Sequence, residues 1–170
     1  MSYLGDLFRH NVWANLRLID ACEHAPQDKL EARAAGTFGT VPDTLIHIVA
    51  NEGGYAMALR NAPPGSAFPD APAYGDPFDN WGWARLCEAA RRTGETLVEL
   101  AESTQAGQIL RGEFQGRPFE MDAAIPLIQA INHGTEHRAQ VLTLLTIAGV
   151  EPPVLDAWTY WRSGAMAQSR

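Results

Sequence analysis

Two histidines, His133 and His137, stand four residues apart in the segment NHGTEHRAQ. On an α-helix a step of four residues advances about 400°, so the two rings point within roughly 40° of each other and lie about 6 Å apart. One metal ion can be reached by both rings. Because helical histidines at this spacing also arise by chance, a pair of ordinary polar helix residues is the alternative.

A third histidine, His47, interrupts the otherwise apolar run TLIHIVA. Asp43 and Asn51, four residues to either side, are also polar, so a polar stripe runs along an inward-facing helix. A buried histidine that bonds to a carbonyl or a side chain is the alternative for His47. Three imidazoles suit zinc, iron, nickel and copper, and they leave a coordination position open, as in catalytic sites. We therefore predict a divalent metal held by His47, His133 and His137, its identity (Zn, Ni or Fe) left open.

The segment HGTEH also matches H-x-x-E-H, the motif of inverted zinc peptidases, whose third ligand lies far downstream. Only 33 residues follow His137, and the carboxylates they offer are Glu151 and Asp156. Gly134, next to His133, is a poor helix former. These features disfavour a peptidase.

Apolar side chains recur at steps of three and four residues through most of the chain, which predicts helices. Prolines and glycines mark the ends of these segments, and short polar side chains precede several of them as caps. The sequence predicts four long helices and a short fifth. The first two span 3–24 and 40–60, the second with Thr40 as its cap. The third runs from a cap at Asp79 or Asn80 to about 103, the fourth from a cap at Asp122 to 148, and the short fifth spans 156–165.

Two segments fall outside this helical period. Residues 61–78 hold five prolines and two glycines, which predicts an extended crossover between helices. Residues 108–121 alternate apolar and polar side chains around Gly116, which predicts either a short hairpin or an extended loop. The fold class predicted is all-α: a four-helix bundle with long crossover connections and a short C-terminal helix, in one domain over 1–170.

The net charge of -7 provides no excess of cations to neutralise nucleic acid or an anionic bilayer, so neither is an expected partner. No apolar run approaches the ~20 residues of a membrane span, and Asp6 and Arg9 interrupt the start where a signal peptide would be apolar. A cytoplasmic location is expected. Cys22 and Cys87 lie within apolar helical patterns and are expected to be small buried hydrophobes.

Four motifs in this order resemble the DinB-like (DinB/YfiT) metalloenzyme family: HNVWAN in the first helix, His47 in the second, H-x-x-x-H-R-x-Q from His133 to Gln140, and the terminal LDAWTYW. The resemblance implies a four-helix bundle, a divalent metal held by a histidine triad, and commonly a homodimer. It assigns His47 as the ligand from the second helix and His133 and His137 as the pair from the fourth.

The same resemblance suggests a function. Some relatives are similar to thiol transferases, which add a low-molecular-weight thiol to an electrophile, and others to an isomerase that needs such a thiol, whereas many have no assigned reaction. We expect a metal-dependent enzyme that activates a thiol, or second a water, for attack on a small electrophile. The alternative is a non-catalytic, metal-containing binding or stress-response dimer.

Several neighbours of the triad are weaker candidates. Gln140 lies close to the face of His137, whereas Arg138 is rotated about 100° from His137 and is expected to face solvent or a partner helix. Asn51 is placed to orient a water on the metal, and Glu52 lies about 140° around the helix from His47.

Other polar and aromatic residues are given structural roles. His10 is expected at a helix surface or interface, and His24 at a helix end where a cationic ring favours the dipole. The tryptophans are expected to be core and interface anchors, with a pocket lined by Trp158 and Tyr160 as an alternative.

Overall fold

The computed structural model describes residues 2–60, 62, 68–114 and 116–165, so positions 61 and 63–67 of the predicted crossover lie outside the described residues. Helices dominate this part of the chain, as predicted. The elements are α1 (Tyr3–Glu23), α2 (Val41–Leu59), α3 (Gly82–Ser103), β1 (Ile109–Phe114), β2 (Arg117–Asp122), α4 (Ala124–Ile147) and α5 (Ala157–Arg162).

The four long helices pack in pairs, α1 chiefly against α3 and α2 chiefly against α4, which confirms the predicted helical bundle. Phe8 and Leu18 of α1 are fully buried, each in one of the two hydrophobic clusters of the core. On α3, Gly94 lies so close to Val12 of α1 that a Cβ there would overlap the valine side chain. A small residue at this crossing therefore sets how closely the two helices approach.

The start of α2 is fixed by a capping box. Thr40 Oγ1 accepts the N–H of Asp43 at 3.2 Å, and Asp43 Oδ2 accepts the N–H of Thr40 at 3.1 Å. This exchange satisfies N–H groups that have no partner within the helix. Further along α2, Leu45 and Ile48 are buried in the core while His47 is only half-buried.

The segment before α4 forms a hairpin, so the hairpin alternative is confirmed. β1 and β2 pair antiparallel, with Arg111 opposite Glu120. Asp122 Oδ1 accepts the N–H of Ala124 at 2.8 Å, so Asp122 satisfies a first-turn donor as predicted, although Ala123 occupies the cap position itself. The helix then runs unbroken through the histidine pair and ends before Gly149, whose φ is +74°.

The predicted cap of α3 is wrong. Asp79 and Asn80 belong to a 3-10 turn, Phe78–Asn80, which is closed by the Trp81 N–H bonding to the Phe78 carbonyl at 2.8 Å. The turn places both side chains ahead of the helix, and Trp81 takes the cap position without a side-chain bond.

Within the described ranges, none of the helices combines the length and the apolar character needed to cross a bilayer. Cys22 is fully buried, as predicted, and burial raises the pKa of its thiol to about 12. Cys87 is half-buried and packs against the core.

Candidate metal centre

The three predicted histidines converge between α2 and α4. The centroid of the His47 ring lies 4.9 Å from that of His133 and 4.7 Å from that of His137, and the latter two are 4.4 Å apart. One nitrogen from each ring lies within 4.8 Å of the others. The convergence is therefore confirmed, whereas the role of the rings as ligands stays a prediction.

The donor set fits a late first-row divalent ion. His47 Nε2 and His133 Nε2 face each other at 3.1 Å, and nitrogens bonded tetrahedrally to one zinc at ~2.0–2.1 Å stand about 3.3 Å apart. His137 Nδ1 lies 2.9 Å from the Gln140 side-chain oxygen, which leaves its Nε2 free. No carboxylate or thiol joins the three imidazoles among the residues that the structure describes.

The environment keeps two of the rings neutral. Burial, followed by the like charge of His137, lowers the pKa of His47 to about 4. Burial, followed by the like charges of His137 and His47, lowers the pKa of His133 to about 4. Neutral imidazole is the form that binds metal, because its lone pair is available.

Aromatic side chains surround the triad. Phe38, from the segment before α2, stacks on His47 with the ring centroids 3.8 Å apart and the planes at 21°. Tyr74 meets His47 edge-on, and Tyr55 meets His133 edge-on. Phe38 and Tyr74 are themselves exposed, so this side of the triad remains open to solvent.

Asn51 lies against its own helix. Its Nδ2 donates to the His47 backbone carbonyl at 2.8 Å and lies 3.2 Å from His47 Nδ1. The bond to the carbonyl places the amide beside the His47 ring. A role for Asn51 in orienting a bound water stays a prediction.

A cavity of about 300 Å³ opens beside the triad, and the His47 ring forms part of its wall. Phe38, Arg33 and Asp43 also line it, and Arg33 pairs with Asp43 at 3.3 Å. Its volume is at the lower end of the range of small-molecule sites.

A buried polar network joins α4 to α1 and α2. Arg138 Nη1 donates to the Oδ1 atoms of Asn11 and Asn15, both at 2.7 Å. The Nδ2 atoms of the same asparagines donate to Glu52 Oε1, at 2.7 and 2.9 Å. Because arginine only donates, each amide oxygen must face Arg138 and each amide N–H must face Glu52.

Arg138 was expected to face solvent or a partner helix, and the structure shows the second arrangement, since Arg138 is buried and bonds to Asn11 and Asn15 of α1. Burial raises the pKa of Glu52, and the bonds from Asn11 and Asn15 and the charge of Arg138 oppose that rise. Burial likewise lowers the pKa of Arg138, opposed by the charge of Glu52. Each of the two amides therefore bridges the cation and the carboxylate, which offsets part of the cost of burying both.

Sequence reasoning quoted Asn11 and Asn15 only as part of the HNVWAN motif and missed their role. The signal was present, because two asparagines four residues apart share a helix face with the buried Leu18 and so needed polar partners. The sequence likewise indicates only that Gly134 is a poor helix former, and its packing role was missed. A Cβ at Gly134 would lie 2.9 Å from Arg138 Nη1 and 3.1 Å from Asn11 Oδ1, so the glycine leaves room for the network.

The remaining candidates lie away from the triad. His10 Nε2 donates to the Leu155 carbonyl at 2.9 Å, and its ring packs between Trp13 and Tyr160. The bond between His24 Nδ1 and the Asp20 carbonyl raises the pKa of His24, consistent with a favourable helix-end cation.

A second cavity, of about 530 Å³, lies between α1 and α3 and is lined by Trp13 and Tyr160. Trp158 does not line this cavity and is 70% exposed. The predicted pocket is therefore right for Tyr160 and wrong for Trp158. Trp158 and Trp161 are also not core anchors, because both are exposed. Although this groove is the larger cavity, it lacks converging metal ligands among the described residues, so the triad is the better candidate site.

The family model of the DinB family matches residues 1–168. The chain belongs to the DinB family. A solved structure of a DinB-like protein from Bacillus cereus ATCC 10987 is similar in fold, with a TM-score of 0.60 and 21% identity over 85% of this chain and 90% of that one. A comparison with proteins of curated function found no significant match.

The first prediction concerns pH. In the unfolded chain His47 and His133 titrate near 6.5, whereas in the folded protein their pKa values are about 4. Because the unfolded state takes up these protons first, the metal-free protein should lose stability as pH falls from about 6.5 toward about 4. Urea midpoints measured across this range in the presence of chelator test the loss.

The double variant His47→Gln with His133→Gln is the control, because it removes both groups and leaves the carboxylates in place. Its stability should fall less steeply over the same range. An identical slope in both proteins would contradict the assignment of neutral, buried rings.

The second prediction concerns the buried network. Arg138→Met leaves Glu52 buried without its counter-charge, which should lower the free energy of unfolding by about 3–5 kcal/mol. The double variant Glu52→Gln with Arg138→Met should lose less than the sum of the two single changes. Urea unfolding measures both losses.

Arg111→Met serves as the matched control, because Arg111 pairs with Glu120 at the exposed surface of the hairpin. Surface pairs contribute little to stability. If Arg138→Met lowers the free energy of unfolding no more than Arg111→Met does, the buried network does not stabilise the fold.

Proposed function

We propose that this DinB-family protein holds a divalent metal at His47, His133 and His137 and uses it to activate a thiol, or second a water, for attack on a small electrophile. The observation that carries the proposal is the convergence of three imidazoles beside a cavity, without a fourth ligand from the described residues. Three protein ligands are typical of catalytic centres, which keep a position for water or substrate.

The chemistry follows from the ion that the site would hold. A divalent cation lowers the pKa of bound water and deprotonates a coordinated thiol, which provides a nucleophile at neutral pH. The protein's own residues would set access: Phe38 covers one face of the His47 ring, and Arg33 provides a cation at the cavity wall. The cavity volume favours a small molecule over a macromolecular substrate.

Thiol transfer ranks ahead of hydrolysis for a physical reason. Although a metal ion can lower the pKa of bound water by itself, hydrolysis also calls for a general base that takes the proton of the water and returns it to the leaving group. The carboxylates that line the cavity are engaged elsewhere: Asp43 bonds to Thr40 and Arg33, and Asp76 accepts bonds from Ala73 and Trp81. A thiol that is deprotonated by the metal needs no such base.

The alternative is a non-catalytic, metal-containing binding or stress-response dimer. The exposed indoles of Trp158 and Trp161 on α5 are compatible with a dimer surface under both readings, because aromatic residues are enriched at interfaces. A homodimer and a cytoplasmic location are part of the proposal in either case. A structural role for the metal would call for a fourth protein ligand.

The third prediction tests the proposal directly. Protein purified without a histidine tag should contain about one transition-metal ion per chain, as expected for one three-histidine centre, and should accelerate addition of a thiol to a chromogenic electrophile. His133→Ala should lose the ion and the activity, since two imidazoles remain. Elemental analysis and the initial rate measure the two effects.

His24→Ala is the matched control, because His24 is exposed at the end of α1 and should leave both quantities unchanged. A rate that is unaffected by His133→Ala would eliminate the catalytic proposal. Removing the metal with a chelator distinguishes the alternative. A structural role is favoured if the melting temperature collapses without metal and if neither thiol nor electrophile changes the spectrum of the cobalt-substituted protein.

A further inference from the structure

The side-chain oxygen of Gln140, on α4, receives two hydrogen bonds from different parts of the chain. His137 Nδ1 lies 2.9 Å from Gln140 Oε1, and the backbone N–H of Phe38 donates to the same oxygen at 3.1 Å. Gln140 is half-buried, and a carbonyl oxygen has two lone pairs, so it can accept both bonds at once.

The orientation of the Gln140 amide follows from its partners. A backbone N–H only donates, so the amide atom that faces Phe38 must be the oxygen. That oxygen only accepts, so the nitrogen of His137 that faces it must carry a hydrogen. His137 is therefore the Nδ1–H tautomer, and the lone pair of its neutral ring lies on Nε2.

The second bond connects Gln140 to His47. Phe38, whose N–H is held by Gln140, stacks on the His47 ring at 3.8 Å and meets the His137 ring edge-on at 5.7 Å. Phe38 also lines the cavity beside His47. The Gln140 side chain thus contacts His137, a predicted metal ligand on its own helix. Through Phe38 it also covers His47, the predicted ligand on α2.

We propose that Gln140 is a positioning residue that presents His137 Nε2 to the metal and seats Phe38 over His47, so that metal binding and the shape of the cavity are coupled. This inference rests on the proposed function, because it assumes that the triad binds metal. The partner of a ligating histidine fixes its tautomer and its ring orientation, and loss of such a partner typically costs 10–100-fold in metal affinity. His133 has no comparable partner within the described residues, because its buried Nδ1 makes no hydrogen bond there.

Two variants separate the acceptor from the rest of the side chain. Gln140→Met keeps the length of the side chain but removes the oxygen, whereas Gln140→Glu keeps an oxygen acceptor and should rescue both bonds. Thr143→Ala is the matched control on the same helix, because the Thr143 hydroxyl donates to the Ala139 carbonyl of its own helix and to no other group in the part of the chain that the structure describes.

The fourth prediction uses nitrogen-15 NMR of the metal-free protein at a pH where the rings are neutral. In wild type, Gln140→Glu and Thr143→Ala, His137 should carry its hydrogen on Nδ1, and the Phe38 amide should be protected from exchange with solvent. In Gln140→Met, the hydrogen should move to Nε2, the form that free imidazole side chains prefer, and the Phe38 amide should exchange faster. A His137 tautomer that is the same in wild type and Gln140→Met would overturn the proposal.

Metal affinity provides the second readout. Zinc should bind Gln140→Met about 10–100-fold more weakly than wild type, while Gln140→Glu and Thr143→Ala bind close to the wild-type affinity. Zinc affinity that is unchanged in Gln140→Met overturns the positioning role even if the tautomer shifts.

The two proposals fail in different ways. If wild-type protein binds no zinc, the proposed function fails, and the tautomer measurement still reports on Gln140 because it uses metal-free protein. If wild type binds zinc and Gln140→Met binds it equally, only the role of Gln140 fails.

Discussion

The buried guanidinium of Arg138 imposes the constraint on which the centre depends. A cation in the interior must be matched by acceptors and by a counter-charge, and here Asn11, Asn15 and Glu52 provide them from α1 and α2. Because the amides can point in only one direction between arginine and carboxylate, the network specifies how α4 sits against both helices. Arg138 follows His137 directly in the sequence, so the rotation of α4 that satisfies the arginine also directs the histidine pair toward α2.

The candidate metal centre is closed on the side of α1 and open on the side of the cavity. Toward α1, the polar network is buried and Gly134 leaves the space that it occupies. Toward the cavity, Phe38 and the His47 ring face open space. Reactants would therefore approach from the side of His47, while the opposite side holds the helices in place.

Much of this arrangement could be predicted from the sequence, because it follows from local patterns. Helix periodicity and the four-residue spacing put His133 and His137 on one face, and a polar residue within an apolar run marked His47 as facing inward. The capping box at Thr40 is also local, since it needs only Thr40 and Asp43. The predicted cap of α3 was wrong because a 3-10 turn places Asp79 and Asn80 ahead of the helix.

What could not be predicted are the contacts between elements distant in sequence. The bonds from Arg138 to Asn11 and from Gln140 to Phe38 join residues 127 and 102 positions apart. Which of several buried polar side chains pair depends on how the helices rotate about their axes, which local periodicity leaves free within about a third of a turn. Each polar residue on an apolar helix face needs a partner, so Asn11, Asn15, Glu52 and Arg138 are candidates to pair with one another.

X-ray absorption spectroscopy of the zinc-loaded, untagged protein tests the central claim most directly, because it counts ligands around the ion. We expect three imidazole nitrogens at ~2.0–2.1 Å with a further non-protein ligand, and one imidazole fewer in His47→Ala. Two or fewer imidazoles in the wild-type protein, or a spectrum that is unchanged by His47→Ala, would contradict the convergence of α2 and α4 on one ion.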